Sequence, residues 1–168
     1  CGICNGNNDC YPTAIDLEIT FNEDECFPCG PFDFEAYDDS EEQLLFDITS
    51  NPQTDLGYFI FETFGYCSVG PCIQSFSFMP NAHANGTTTL TFYAFDGQFQ
   101  SNEATITLTI NPVNDSPILN TVGDKNFNED SSLNILLNAS DIDGDQLTYS
   151  ISSGINIFPV LDNNNLSF

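Results

Sequence analysis

Three aspartates on alternate positions of one short segment, Asp141, Asp143 and Asp145, are the residues of this sequence most suited to binding a metal ion. Calcium in proteins takes about six to eight oxygen ligands, most of them from carboxylates and carbonyls. The alternative is an ordinary turn, because Asp and Gly favour turns for conformational reasons. We favour calcium, because a turn does not require three carboxylates on alternate residues. The chain also has only one lysine or arginine, Lys125, that could neutralise them.

The acidic segment belongs to a pattern that occurs twice in the chain. The motif at 21–24 (FNED) returns at 127–130, and the stretch 36–48 returns at 139–151. The repeat is roughly a hundred residues long, the usual size of one small domain. In the first copy the acidic loop reads DDSEE, with Ser40 at the position of Asp143. We therefore expect Asp38 to bind an ion more weakly.

The charge balance limits the classes of partner. The formal net charge is −24, so nucleic acids and anionic membrane surfaces should be repelled. Self-repulsion on this scale destabilises a compact fold unless cations neutralise it, and hard metal ions with oxygen ligands fit that role. Simple solubility, or adaptation to high salt, is the alternative explanation for the bulk of the charge.

Seven cysteines all lie within the first 72 residues. Close pairs flanked by Gly, Pro and Asn predict short-loop disulfides in an oxidising compartment. We predict the bridges Cys26–Cys29 and Cys67–Cys72; zinc is disfavoured because the two pairs should lie at opposite ends of the fold. Cys4 and Cys10 are further disulfide candidates with open connectivity. Because seven is an odd number, one thiol has its partner outside this chain or is free, and we expect this thiol to be Cys1. A start at Cys1 and the absence of a signal peptide or transmembrane run suggest that the sequence continues upstream.

Alternation of apolar and polar residues with a period of two predicts an all-β fold. Turn residues separate seven predicted strands, which span 15–21, 32–36, 44–48, 58–64, 73–78, 90–94 and 104–110. Two prolines then mark a short linker. The expected organisation is a Cys-rich segment 1–13, a β-sandwich 14–111, a linker 112–117 and a partial second sandwich 118–168.

Several segments together resemble the tandem cadherin-like repeats of large surface and adhesion proteins, of the bacterial and marine type. They are 78–87 (FMPNAHANGT), 95–97 (FDG), the strand 104–110, the linker residues 114–117 (NDSP) and 141–145 (DIDGD). The resemblance covers residues 14–168 and implies immunoglobulin- or cadherin-like Greek-key β-sandwiches in tandem, the second incomplete. The segment 1–10 resembles the Cys-Gly-Asp repeats of thrombospondin type 3 modules.

The order of the loops indicates where the acidic residues should meet. Successive loops of a seven-stranded sandwich alternate between its two ends, so those after strands one, three and five should face the second domain. Oxygen-bearing side chains should then converge at one junction: Glu23, Asn111, Asn114, Asp115, Asp141, Asp143 and Asp145. In cadherin-like proteins this junction binds calcium, which the resemblance implies here, with Glu129 serving the next junction. The acidic Leu-Asp-Arg-Glu element of vertebrate cadherins is missing, so we expect fewer ions or weaker binding.

No catalytic constellation is recognisable in the sequence. The single histidine, His83, belongs to no catalytic motif, and we expect it to be a loop residue near the junction. We therefore do not expect this chain to be an enzyme. Of four Asn-x-Ser/Thr sequons, Asn85, Asn138 and Asn165 are glycan candidates, whereas Asn114 would compete with metal ligation.

The leading hypothesis is an extracellular structural or adhesive module: a stalk, a cell-surface adhesin or a filament subunit. Its expected partners are neighbouring domains or identical subunits, with glycans as further candidates. Only the first five strands of the second copy are present, so we expect either a longer chain or a neighbouring subunit to supply the last two. The alternative function is a carbohydrate-binding or accessory module of a secreted enzyme. It would need the aromatics Tyr58, Tyr66, Tyr93 and Phe99 on one face, and the chain has no Trp.

Overall fold

The structure, a computed structural model, describes residues 3–4, 10–38, 43–50, 53–62, 71–153 and 158–168. Every regular element in these ranges is a β-strand, and nothing in them forms a helix long and apolar enough to cross a membrane. The chain divides into two compact units, residues 1–113 and 114–168. The boundary falls inside the segment 112–117.

Unit 1 is a β-sandwich, which confirms the predicted fold class. Its strands are β1 (Ile3–Cys4), β2 (Cys10–Tyr11), β3 (Thr13–Ala14), β4 (Leu17–Asn22), β5 (Cys29–Tyr37), β6 (Leu45–Ile48), β7 (Gln53–Thr54), β8 (Gly57–Phe61), β9 (Cys72–Pro80), β10 (Gly86–Phe95) and β11 (Ala104–Asn111). One sheet has the order β4-β11-β10-β6, and the other has the order β3-β5-β9-β8-β7; β1 and β2 form a separate pair. The seven predicted strands correspond to β4, β5, β6, β8, β9, β10 and β11.

The core between the two sheets is built largely from phenylalanine. Phe34 is 1% exposed and lies with its ring centroid 4.6 Å from that of Phe92 and 5.1 Å from that of Phe46. Along β11, buried and half-buried residues alternate, with Ile106 and Leu108 turned inward. The period of two in the sequence therefore marks the faces of the sheets correctly.

Ile15 departs from the expected pattern. The sequence places it on the inward face of one continuous first strand, but its side chain is 39% exposed. The chain changes sheets here: Ala14 pairs with Ala36 in the five-stranded sheet, whereas Leu17 pairs with Ile106 in the four-stranded sheet. The crossing residues belong to neither ladder, so the alternation breaks.

Strand registers bring three loops to one end of unit 1. β4 runs parallel to β11 with Asn22 opposite Asn111, and Gly86 at the start of β10 lies opposite Ile110. The loops 23–28 and 81–85 and the residues after 111 therefore share an end, as the loop order predicts. The β6–β8 connection ends there too, because Gly57 lies opposite Pro80.

Unit 2 repeats part of this topology with shorter strands. Its elements are β12 (Ile118–Leu119), β13 (Asn134–Leu136), β14 (Ala139–Ser140), β15 (Val160–Asp162) and β16 (Asn165–Ser167). β12 pairs with β14 as β3 pairs with β5, and the order β13-β16-β15 matches β5-β9-β8. Among the described residues of this unit, Leu137 is the one buried hydrophobic residue.

The sequence repeat predicts that the counterpart of strand 44–48 lies at 147–151, but this strand does not form, and these residues belong to no ladder. Its counterpart in unit 1 is β6, which pairs with β10 at the edge of the four-stranded sheet that the structure describes. Among the described residues of unit 2 no strand corresponds to β10, and the backbone groups of 147–151 pair with no described strand. Leu147 and Tyr149 are still half-buried, with exposed neighbours on either side.

Candidate metal site

Glu23 is a buried carboxylate at the end of unit 1 from which the chain continues towards unit 2. Its side chain is 4% exposed, and Oε1 accepts the N–H of Val113 at 2.7 Å. The Asn85 amide donates to both carboxylate oxygens at 3.4 and 3.5 Å. Within the described residues no lysine, arginine or histidine forms an ion pair with it. A buried charge held by neutral donors alone is costly, so this position suits a cation.

A tight turn at the end of β4 positions Glu23. The N–H of Glu25 donates to the carbonyl of Asn22 at 3.4 Å, and the Glu23 N–H donates to the Asn111 carbonyl at 2.9 Å. Asp24 has a left-handed φ of 60°, which Asp tolerates better than most residues. The Asn111 amide donates to Asn22 Oδ1 at 3.2 Å, so the ends of β4 and β11 are joined by side chains as well as backbone.

The same turn occurs in unit 2. Asp130 has a φ of 62°, and the N–H of Ser131 donates to the Asn128 carbonyl at 3.2 Å. The four-residue motif therefore specifies the turn itself. Glu129, in contrast to Glu23, is exposed, and among the described residues of unit 2 no strand corresponds to β11.

The loop 141–145 of unit 2 holds its carboxylates in a fixed arrangement. Asp141 Oδ1 accepts the N–H groups of Asp143 at 3.0 Å and Asp145 at 3.3 Å. Asp143 Oδ2 accepts the N–H of Asp115 at 2.6 Å. Gly144 has a φ of 80°, which glycine adopts without steric cost. Thus Asp115, Asp141, Asp143 and Asp145 lie together in unit 2.

These side chains fit a hard cation. Within the described residues, the second oxygen of Asp141 and that of Asp143 accept no hydrogen bond, so each carboxylate is anchored through one oxygen and open at the other. Asn114 is exposed, and its amide nitrogen donates to the Asp115 carbonyl at 3.0 Å. The side-chain atoms that could coordinate a metal ion in each unit are oxygens, the ligand type that calcium takes.

Asp38 lies at the other end of unit 1 from Glu23. It follows the last residue of β5, and Ala36 of that strand pairs with Cys72 at the start of β9. The rest of its acidic loop, residues 39–42, falls outside the described ranges. The prediction of a weaker ion at Asp38 therefore remains a prediction.

One predicted disulfide is present in full, between Cys26 and Cys29. Cys72 is also disulfide-bonded, while its predicted partner Cys67 lies outside the described residues. Cys29 and Cys72 belong to opposite ends of the β5–β9 ladder, which excludes a four-thiolate zinc site. The pairing of β1 with β2 places the backbone of Cys4 opposite that of Cys10.

The lone histidine lies in the loop 81–85, at the same end as Glu23. Its Nδ1 is 3.8 Å from Asp24 Oδ2, and the two side chains are 42% and 50% exposed. The glycan candidates Asn85, Asn138 and Asn165 are exposed too. Asn85 is the partner of Glu23 that sequence analysis missed, because the two residues are 62 positions apart and only the strand register brings them together.

The four aromatics expected on one carbohydrate-binding face do not share a face. Tyr58 lies on β8 in the five-stranded sheet, whereas Tyr93 lies on β10 in the other sheet. Tyr93 donates its O–H to Asp47 at 2.7 Å, and Phe99 packs against Tyr11 with centroids 4.5 Å apart. Tyr66 is outside the described residues.

A cleft of about 540 Å³ opens beside the β4–β5 loop in unit 1, a feature that the sequence did not reveal. Phe27 and Tyr58 line it, together with Met79, Pro80, Asn81, Ala82 and Ala84. The signal that could have pointed to it is an aromatic residue inside a Cys-x-x-Cys loop rich in proline and glycine, which keeps a large apolar side chain on the surface.

No protein-family model matches this chain, and no curated protein matches it either. Among solved structures, the crystal structure of murine CEACAM1b is similar over 93% of this chain and 83% of that chain, with 16% sequence identity and a TM-score of 0.29. A similarity this low adds nothing to the fold assignment, which rests on the strand registers.

Proposed function

We propose that this chain is a structural module of an extracellular protein, built from repeated β-sandwich units and stiffened by calcium and local disulfides. Such a module would serve in a stalk, a cell-surface adhesin or a filament. The observation that carries the proposal is the hydrogen bond between Glu23 and Val113. It ties the last residue of unit 1 to a buried acidic side chain of the sandwich.

Calcium would act on the end of unit 1 and on the loop 141–145 by neutralising charge. Glu23 and Asn111 offer oxygens in unit 1, and Asp115, Asp141 and Asp143 offer oxygens in unit 2. A bound ion replaces repulsion among these groups with attraction, and binding to the folded state alone raises its stability. In a chain of net charge −24, this should be a large part of the free energy of folding.

The disulfides support placement outside the reducing cytoplasm. Cys26 and Cys29 are bonded, and so is Cys72. Disulfides of this kind persist in oxidising compartments. Cys29 is fully buried and pairs with Phe78 in the sheet, so its bridge fixes the loop that follows the Glu23 turn.

The test is thermal unfolding of the whole chain in calcium and in chelator. An ion at a hundred times its Kd stabilises by about 2.7 kcal/mol, so chelation should lower Tm by roughly 10 °C. Asp143→Asn should remove most of this difference, whereas Asp124→Asn, at an exposed aspartate outside the loop, should retain it. An unchanged melt in chelator would refute the role of calcium.

The sequence further predicts that Glu23 reaches the calcium site completed by Asp141 and Asp143. Calcium affinities of Glu23→Gln, Asp143→Asn and the double variant test this in a double-mutant cycle. If the losses of calcium affinity in the two single variants do not add up to the loss in the double variant, the residues share an ion. Additive losses of affinity would mean separate ions.

A further inference from the structure

The cleft beside the β4–β5 loop has an apolar wall and an acidic end. Its volume of about 540 Å³ lies within the usual range for ligand sites. The apolar wall includes Phe27, Tyr58 and Met79, and the acidic end consists of Glu23 and Asp24. All of these residues belong to unit 1.

Two aromatic side chains of this wall are unusually exposed. Phe27 is 74% exposed and Tyr58 is 43% exposed. Phe27 lies between the bonded cysteines Cys26 and Cys29, and Cys29 is fully buried. The short covalent ring therefore holds the backbone of Phe27 at the surface before any ligand arrives, which reduces the conformational entropy lost on binding.

The acidic end selects the charge of the ligand. Asp24 has a half-exposed carboxylate, and Glu23 lies beside it in the sequence and in the cleft lining. Lys125, the only lysine or arginine of the chain, belongs to unit 2, and the His83 imidazole, 3.8 Å from Asp24 Oδ2, carries a charge only when it is protonated. The net charge of −24 also attracts cations over longer distances.

We propose that this cleft binds an arginine side chain from a partner protein. A guanidinium stacks on aromatic rings and donates paired hydrogen bonds to carboxylates, and its aliphatic stem packs against apolar surface. Phe27 and Tyr58 supply the rings, Met79 the apolar surface, and Asp24 the carboxylate. The proposal goes beyond a calcium-stiffened module, since it assigns a recognition site that needs no metal.

The probe is a blocked pentapeptide, acetyl-Gly-Ala-Arg-Ala-Gly-amide, titrated into the isotope-labelled chain in the presence of chelator. Its matched control is the same peptide with citrulline, which keeps the shape of arginine without its charge. We expect NMR shifts at Phe27, Tyr58 and Met79 with the arginine peptide, and at least three-fold weaker binding of the citrulline peptide, in line with roughly the strength of an exposed cation–π contact.

Variants of the chain distinguish peptide binding in the cleft from general electrostatic attraction of the peptide to an acidic protein. Phe27→Ala should weaken binding about three-fold or more, whereas Phe158→Ala, which removes an 84% exposed phenylalanine of unit 2, should leave it unchanged. Asp24→Asn should weaken binding more than Asp124→Asn does. Amide spectra verify that each variant is folded.

Equal effects of Phe27→Ala and Phe158→Ala, or equal binding of the two peptides, would overturn the proposal. Tighter binding of a lysine peptide than of the arginine peptide would overturn the assignment to arginine. Because chelator is present throughout, the outcome is independent of whether calcium binds.

Discussion

At the scale of single residues, Glu23 and Glu129 show how context changes one motif. Both occupy the third position of the four-residue motif, in turns with matching φ angles at the following aspartate. Glu23 is buried against Val113 and Asn85, and Glu129 is exposed. The two glutamates therefore form a matched pair for measuring how much the burial of this side chain contributes to the free energy of unfolding.

Glu23→Ala should destabilise unit 1 by about 1–3 kcal/mol, because the Val113 N–H loses its acceptor. Glu129→Ala removes the same charge from an exposed position and should change stability by less than about 0.5 kcal/mol. Urea unfolding in chelator, followed by a signal of unit 1, measures both. Similar effects of the two substitutions would mean that the hydrogen bonds to Glu23 contribute little.

Tyr93 offers a prediction about pH. The hydrogen bond that it donates to Asp47, with smaller effects of burial and of the Asp47 charge, raises the pKa of its phenol above the usual value of 10.0. Folding thus favours the protonated phenol, so this stabilisation is present below about pH 10 and is lost as the pH rises through the folded-state pKa.

Asp47→Asn should lower the pKa of one phenol, measured by absorbance near 295 nm in the folded chain. Asp55→Asn, which changes the charge equally, serves as the control. An unchanged titration in Asp47→Asn would show that this hydrogen bond does not form in solution.

Sequence analysis identified the acidic residues of the candidate site but not their partners. Glu23 and the aspartates of 141–145 were found because they recur or cluster locally. Asn85 beside Glu23 and Asp47 beside Tyr93 were missed, because such pairs depend on which strands become neighbours. Composition and spacing carry no direct information about these long-range registers.

At the scale of elements, the entry to β8 depends on one glycine. Gly57 has a φ of 150°, and a Cβ there would overlap the Met79 carbonyl oxygen and lie 2.8 Å from Phe78 Cζ. Gly97 has a φ of 98°, and no atom lies within 4 Å of its would-be Cβ.

Gly57→Ala should cost about 3 kcal/mol or more, because backbone of β9 must move, whereas Gly97→Ala should cost about 1 kcal/mol from backbone conformation alone. Thermal unfolding of both variants checks the difference. Equal losses of stability in the two variants would mean that the backbone of β8 and β9 can shift at this point at little energetic cost.

Strand prediction succeeded where residues alternate and a ladder exists. β10 and β11 each place apolar side chains inward and threonines outward, so period and structure agree. The prediction failed at Ile15, where the chain crosses between sheets, and at 147–151, for which the described part of unit 2 contains no partner strand. Both failures arise because a strand needs a neighbour as well as a pattern.

At the scale of the whole molecule, the two units differ in how much they bury. The core of unit 1 contains many fully buried side chains, such as Phe76, Phe92 and Leu108. The described strands of unit 2 are two or three residues long, and Ile118, Leu136 and Phe158 are exposed. Local stability follows buried apolar contacts.

Amide hydrogen exchange of the 168-residue chain should therefore show strong protection in β10 and β11 and weak protection in β13 to β16. NMR-detected exchange in chelator measures it. Equal protection in β16 and β11 would mean that unit 2 is stabilised by something other than its buried apolar surface.

The parallel pairing of β4 with β11 has a mechanical consequence. The first long strand and the last strand of unit 1 form a ladder of six residue pairs, from Leu17 opposite Ile106 to Asn22 opposite Asn111. When the chain is stretched, the pull reaches β4 at Leu17 and β11 at Asn111, at opposite ends of this ladder. Its hydrogen bonds are then sheared together instead of opening one after another, so unit 1 should resist extension far better than a hairpin of equal length.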